Sequence, residues 1–315
     1  MKILFVTGAE GFTGRRLVPY LQERGYEVVG GVRNRARKLA FEKQFGKAIV
    51  CDVGDAINVA RAIASVKPDG VIHLASVSTP QECESDPLAA YQSIVTGWAN
   101  VLDAVRRSSA RARVLMTSTC EVYGNASGDL LSEDTTCLPV TTFGSLKATA
   151  ESIAQTFHRN NLLDISIVRP FHCAGPGQPA TQFYAALTRS ILASDASNGT
   201  VPISNPNCKR DVLHIDDLVT AYHHLLEEGK PNRIYNVCSG RSWTVREIAQ
   251  AIANAAGRNN LRFDDQPSEV TPIQSLCGSN ARLCEEAGWQ PMKSMTEAVT
   301  DLVKYYQTQK VATSA

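Results

Sequence analysis

At 315 residues the chain has the length of one large domain or two intimately joined ones. Its 43% hydrophobic and 20% charged residues are ordinary for a soluble globular chain, and a net charge of +1 offers no basic face to nucleic acid or to an acidic membrane. Nine cysteines, odd in number, scattered and without a CxxC pair, argue against a zinc site or disulfide framework and for reduced thiols in a cytoplasmic protein; no metal is expected.

The first apolar run, "MKILFVTG", is stopped by Gly8, too early for a signal core or a membrane span, and predicts a strand at 3–7. A helix at 15–25 and strands at 26–32 and 48–51 follow. Then come a helix at 57–66, a strand at 70–75, a helix at 87–107, a strand at 113–118, a helix at 145–159 and a strand at 164–169. Nearly continuous apolar strands alternating with helices predict a parallel sheet covered on both faces, the doubly wound α/β (Rossmann) class. After residue 170 the texture becomes loop-rich ("GPGQPA", "ISNPNCKRD"), with helices expected at 215–228, 243–256 and 293–307. We therefore expect a dinucleotide-binding domain over 1–170 and a smaller, interleaved α/β substrate region over 171–308. Segments such as 210–240 should return to the first domain, and 309–315 should form a frayed tail.

"TGAEGFTG" (7–14) follows the first strand and opens the first helix, with Gly8, Gly11 and Gly14 three apart. Glycine lets backbone approach a pyrophosphate closely, and free N–H groups of a helix start favour an anion. At the end of the second strand a carboxylate would mark NAD, through the ribose 2′-hydroxyl. Here Val32 stands at that place and Arg33, Arg35, Arg37 and Lys38 follow, so a 2′-phosphate and NADP are favoured over NAD. Arg35, Arg37 and Lys38 also read as a solvated helix face. Asp52 has two readings, acceptor from an adenine amine or plain turn or cap residue.

The strand at 113–118 runs into "TCEVYG", placing Thr119, Cys120 and Glu121 at the carboxyl edge of the sheet, where α/β ligands bind. A hydroxyl, a thiol and a carboxylate side by side can move protons. In "TTFGSLK" (141–147), Phe143 and Lys147 stand four apart on one helix face. A lysine there can bond a nicotinamide ribose and lower the pKa of a neighbouring phenol, but a phenyl ring has no proton to move.

Together these residues resemble the extended short-chain dehydrogenase/reductases that act on nucleotide sugars, over nearly the whole chain. "TGAEGFTG", "VIHLAS", "STCEVYG", "TTFGSLK", "VRPFHCAGPGQ", "KRDVLHIDDLVTAY" and "YNVCSG" are similar to successive motifs of that family. Within it the chain most resembles GDP-mannose 4,6-dehydratases and GDP-4-keto-6-deoxymannose reductases. Its Cys-Glu pair is similar to that of UDP-sugar 5,6-dehydratases. The resemblance implies that Phe12, Thr13, Val53, Leu74, Ala75 and Ser76 join the glycines, Arg33, Asp52 and Lys147 around the cofactor. It implies that Ser78, His172, Arg210 and Glu269 face a GDP- or UDP-linked sugar, with Arg210 on the diphosphate and Glu269 on the nucleotide ribose. Thr119 would bond the sugar 4-oxygen, Glu121 would take the C5 proton, and Cys120 would stand where some dehydratases keep an acid for the leaving 6-hydroxyl.

The implied activity is a 4,6-type dehydratase that oxidises C4, eliminates water across C5 and C6 and returns the hydride. A 4-ketoreductase or epimerase is the alternative, and a catalytically silent dinucleotide sensor is the alternative of another class. The resemblance also implies a homodimer built on the helices at 87–107 and 145–159. Four positions depart from the family: His172 and Ile94 where relatives have asparagine, Gln266 where they have arginine, and Phe143 where they have the reacting tyrosine. Tyr to Phe is the smallest change that deletes the hydroxyl and keeps the ring. It fits a deliberate deletion that holds substrate with cofactor, or an enzyme that uses Cys120 or Glu121 instead.

Overall fold

The computed structural model describes residues 1–195, 199–266 and 273–313. Its centre is a seven-stranded, wholly parallel sheet of β1 (Ile3–Thr7), β2 (Glu27–Val32), β3 (Ala48–Val50), β4 (Gly70–His73), β5 (Arg113–Thr117), β6 (Ile165–Pro170) and β7 (Arg233–Val237). The order is 7-6-5-4-1-2-3, so the chain reverses direction between β1 and β4. In open sheets that reversal opens a crevice at the carboxyl edge, where ligands bind. The expected doubly wound class is borne out.

Helices α1 (Phe12–Glu23), α2 (Arg35–Phe45), α3 (Ala56–Val66), α4 (Gly97–Ser108) and α5 (Thr142–Asn161) fill the crossovers. One face of the sheet buries Leu4, Val6 and Ile72 with Leu17, Val18 and Leu21 of α1. The other buries Phe5, Val71, Val114 and Met116 with Ile63 of α3, Val101 and Leu102 of α4, and Ala150 and Ala154 of α5. Both faces are covered, which explains why the strands read as unbroken apolar runs.

The sequence-based elements need correction in several places, and the helices Phe183–Ala193 and Ala281–Ala287 were not among those expected. The helix expected over 87–107 is Pro87–Tyr91, then a wide turn at Gln92–Thr96, then α4; such wide turns interrupt helices locally. Helix α2 was expected only as a solvated face at Arg35, Arg37 and Lys38, without bounds, because only Phe41 of it is buried and it has almost no apolar stripe; Asn34 starts it by accepting from Arg37 N. The last helix, expected to stop at 307, runs Met295–Thr313, through most of the segment expected as a tail.

Beyond β6, short pairings build the far wall of the crevice. His172–Ala174 pairs with Val212–His214, and Lys209–Arg210 lies between Trp243–Thr244 and Ser275–Leu276. Helix α6 (Phe183–Ala193) packs Tyr184, Ala185 and Ile191 onto a separate apolar cluster with Ile248, Val299 and Leu302. Strand β7 returns to the main sheet beside β6. No described helix is long and apolar enough to cross a membrane.

Candidate functional site

The glycine loop is a backbone site. Gly8 has φ +65°, and a Cβ there would stand 2.8 Å from the backbone of Ala75. Any side chain is therefore both strained and blocked, and Leu74 and Ala75 lie against the loop, while the Ser76 hydroxyl donates to Val77 O. Thr7 Oγ1 fixes that approach by bonding His73 Nδ1 at 2.8 Å and accepting from Ala75 N at 3.3 Å. A Cβ on Gly14 would be 2.5 Å from Ala9 O, so helix and strand pack as close as glycine permits. Gly11 begins α1 without a side-chain cap, leaving the N–H groups beside Phe12, Thr13 and Gly14 for an anion.

Past β2, Arg37 pairs with Glu10 at 3.6 Å and Lys38 with Glu42 at 3.6 Å. Arg33 is exposed and has no ion pair or hydrogen bond among the described residues. Of the basic run, Arg33 and Arg35 thus have no ion pair among the described residues, and Arg33, next after β2, is open to a phosphate. Asp52 is exposed and its Oδ1 accepts from Gly54 N at 3.1 Å, a turn role that leaves its second oxygen open. Val53 beneath it is buried, and its carbonyl accepts from Asn100.

The chemistry end is made of side chains. Thr119 Oγ1 accepts from Glu121 N at 3.3 Å and so caps the short turn Cys120–Tyr123. Thr141, the cap of α5, donates its hydroxyl to Glu121 Oε2 at 2.8 Å. The start of α5 comes so close that a Cβ on Gly144 would be 2.6 Å from Glu121 O. Burial raises the Glu121 pKa above the usual carboxylate value, against the opposing Thr141 bond and Arg210 charge. Burial pushes the Cys120 thiol well up, with Glu121 adding to it; its Sγ is 4.0 Å from His172 Nδ1. His172 is held neutral, its pKa lowered to about 3 by burial and by the Arg210 charge.

Phe143 is 7% exposed and packed in the apolar cluster with Ile94 and Trp98. Lys147 Nζ lies 5.8 Å from the Phe143 ring centre and 5.6 Å from that of Trp98. It donates to Thr117 O at 2.7 Å. Burial lowers its pKa to about 7, partly restored by Glu151. Tyr123, the nearest tyrosine in sequence, cannot stand in for the missing phenol. It is fully buried, donates to Asn236 Oδ1 at 2.7 Å and accepts from Arg169 Nη1 at 2.9 Å.

Asp211 anchors Arg210 by accepting from Ser239 N, Ser239 Oγ, Gly240 N and Gly278 N; burial raises its pKa to about 6 in spite of them. Ser78 is exposed, its N–H bonded to Glu82 Oε2. Glu269 lies outside the described residues.

Sequence reasoning missed Thr141, although it stands inside "TTFGSLK". It also missed the buried Arg169–Glu151 pair (2.6 Å), which joins β6 to α5 while Ser118 bonds the same Glu151. An arginine at the end of an apolar strand and a glutamate on the inner face of α5 were the available signals. A groove of about 500 Å³ at the opposite edge of the sheet, against Lys2, Asp69 and Arg113, gathers none of these groups. We place the site by chemistry rather than by cavity size.

A doubly wound sheet with a glycine loop at its reversal and a proton-handling cluster on the adjoining strand ends defines a dinucleotide-dependent dehydrogenase type of protein. The chain belongs to the NAD dependent epimerase/dehydratase family, whose model matches residues 4–238. The resemblance to extended short-chain dehydrogenases is thus borne out at family level. The chain is 26% identical over 311 residues to the GDP-6-deoxy-D-mannose reductase of Pseudomonas aeruginosa, covering 97% of each. It is 27% identical to the UDP-glucose 4-epimerase of Mycolicibacterium smegmatis over 96% of this chain and 97% of that one. A dTDP-glucose 4,6-dehydratase structure from Streptomyces venezuelae shares the fold, with TM-score 0.85 at 22% identity over 98% of both chains.

Proposed function

We propose that the chain is an NADP-dependent nucleotide-sugar dehydratase of the 4,6 type, slowed by Phe143. The observation that carries this reading is Glu121: a half-buried carboxylate, steadied by Thr141 and made more basic by its desolvation, beside a thiol that keeps its proton. Elimination needs a base at C5 in addition to the group that takes the 4-hydroxyl proton. The glycine cradle, the uncapped start of α1 and the unpaired Arg33 fit a dinucleotide with a 2′-phosphate, and the reductase relative has been solved "complexed with NADPH".

A dinucleotide held by the glycine loop, Arg33 and Lys147 would supply the hydride acceptor for C4 and the hydride donor for C6. Thr119 bonds the 4-oxygen. Glu121 takes the C5 proton, made acidic by the adjoining ketone, as the C6–O bond breaks. Cys120 gives its proton to that leaving hydroxyl, which departs as water; a thiol does this less strongly than a carboxylic acid. Glu121 then returns a proton to C5. Lys147 orients the nicotinamide ribose, and His172, Arg210, Ser78 and Glu269 face the substrate. Position 143 should take the 4-hydroxyl proton, and a phenyl ring cannot. Within this reading residues 171–308 form the substrate side, and the exposed Leu88 and Tyr91 support dimerisation through the helical segments 87–107 and 145–159.

A reductase is the second reading, favoured by the similarity to GDP-6-deoxy-D-mannose reductase along 97% of the chain. A silent sensor is the third, favoured by Phe143. The test is Phe143→Tyr with GDP- and UDP-sugars, scored for 4-keto product and NADPH loss. Product without net NADPH loss supports the dehydratase, and stoichiometric loss supports the reductase. Tight NADP binding with no sugar-nucleotide binding supports the sensor.

A further inference from the structure

Tyr184, in the first turn of α6, is 3% exposed, and its hydroxyl has no hydrogen-bond partner. Buried hydroxyls nearly always have one, so an unpaired one marks a place where a ligand or water supplies the missing atom. The phenol stands in the wall of the candidate site. Its ring meets His172 edge-on at 6.4 Å, and His172 in turn reaches Cys120 at 4.0 Å.

The electrostatics specify what that ligand atom is. Arg210 is half-buried and donates to Lys209 O at 2.8 Å; it has no ion pair among the described residues. Its charge reaches Tyr184, His172, Cys120 and Glu121 alike. The adjoining Asp211 is occupied by four hydrogen bonds. Around the guanidinium, burial keeps Tyr184 as a phenol, Cys120 as a thiol and His172 neutral. A cation without an ion pair, beside an O–H without an acceptor, suits an anion with several acceptor oxygens.

We propose that Tyr184 is a substrate-binding residue whose hydroxyl donates to a phosphate oxygen of the nucleotide diphosphate held by Arg210. This deepens the nucleotide-sugar reading above and rests on it.

The test is calorimetric titration of the NADP-loaded protein and its Tyr184→Phe variant with UDP- and GDP-sugars and with UDP and GDP alone. Melting temperature and NADP affinity serve as controls. The variant should bind the sugar nucleotide and the bare diphosphate about tenfold more weakly, the worth of one hydrogen bond to a charged group. NADP affinity should be unchanged, and the ligand-free melting temperature equal or higher, because an unpaired hydroxyl has been removed. Equal affinity overturns the proposal. So does weakening for the sugar nucleotide but not the bare diphosphate, which moves the contact to the sugar. A marked fall in melting temperature makes the hydroxyl structural and also overturns it. Wild-type protein that binds neither class of ligand defeats the nucleotide-sugar reading itself, a result separate from any difference between the two proteins.

Discussion

The glycine loop after β1 and the Thr-Cys-Glu turn after β5 share one sheet edge, yet they are built from different material. The first is backbone: Gly8 against Ala75, Gly14 against Ala9, and open N–H groups at the start of α1. The second is side chain: Glu121 held by Thr141, Cys120 near His172, and Lys147 beside Phe143. A backbone site tolerates almost no added atom but makes little demand on its neighbours. A side-chain site keeps its shape through a substitution and can lose its chemistry with one atom. On the reading proposed above Phe143 is such a loss, and its ring is packed among apolar neighbours.

The comparison can be broken from either side. The largest effect is expected from Glu121→Gln in a Phe143→Tyr background. Dehydration should fall on the order of 10²–10⁴-fold while hydride transfer from the sugar C4 to the cofactor survives, as followed by cofactor absorbance in single turnovers. Phe143→Tyr alone should raise turnover by a similar factor, on the order of 10²–10⁴, with NADP affinity unchanged in a fluorescence titration. Gly8→Ala should do the reverse. It forces a side chain into φ +65° and against Ala75, so NADP affinity should drop roughly 10–100-fold by the same titration, the scale of backbone strain. Arg33→Ala should weaken NADP about tenfold and leave NAD unchanged, if a single charge-assisted contact to the 2′-phosphate is lost.

The smallest effect concerns pH. His73 is buried beside the loop with its pKa lowered to about 3, through burial first and the Lys147 charge second. A group lowered on folding stabilises above its unfolded pKa and loses that contribution as pH falls towards the folded value. The melting temperature should therefore decline as pH is lowered from about 6.5 towards 3. His73→Asn should flatten that decline in thermal melts, because Asn can still meet Thr7 and has no proton to gain.

Much of this edge was legible in the sequence because the signals are local. Three glycines three apart, an arginine after β2 and a phenylalanine four before a lysine are spacings that any helix or turn preserves. The Glu121–Thr141 bond spans twenty residues, and the Cys120–His172 contact spans fifty-two. Neither carries a periodic signal. The wide turn at Gln92–Thr96 was hidden because helical periodicity survives on both sides of it. Helix α2 was legible only as a solvated face, without bounds, because it buries little more than Phe41 and so has no stripe to read. Tyr184 was illegible, since one tyrosine in an apolar helix reads as core until its hydroxyl is found without a partner.

The most direct test of the central claim is turnover by the Phe143→Tyr protein in deuterated water with GDP- and UDP-sugars, followed by mass spectrometry and NMR of the product. A base at Glu121 that removes and returns the C5 proton predicts a 4-keto-6-deoxy product with solvent deuterium at C5, and no deuterium or product once Glu121→Gln is added. Product formed with C5 undeuterated, or undiminished in Glu121→Gln, would contradict the account.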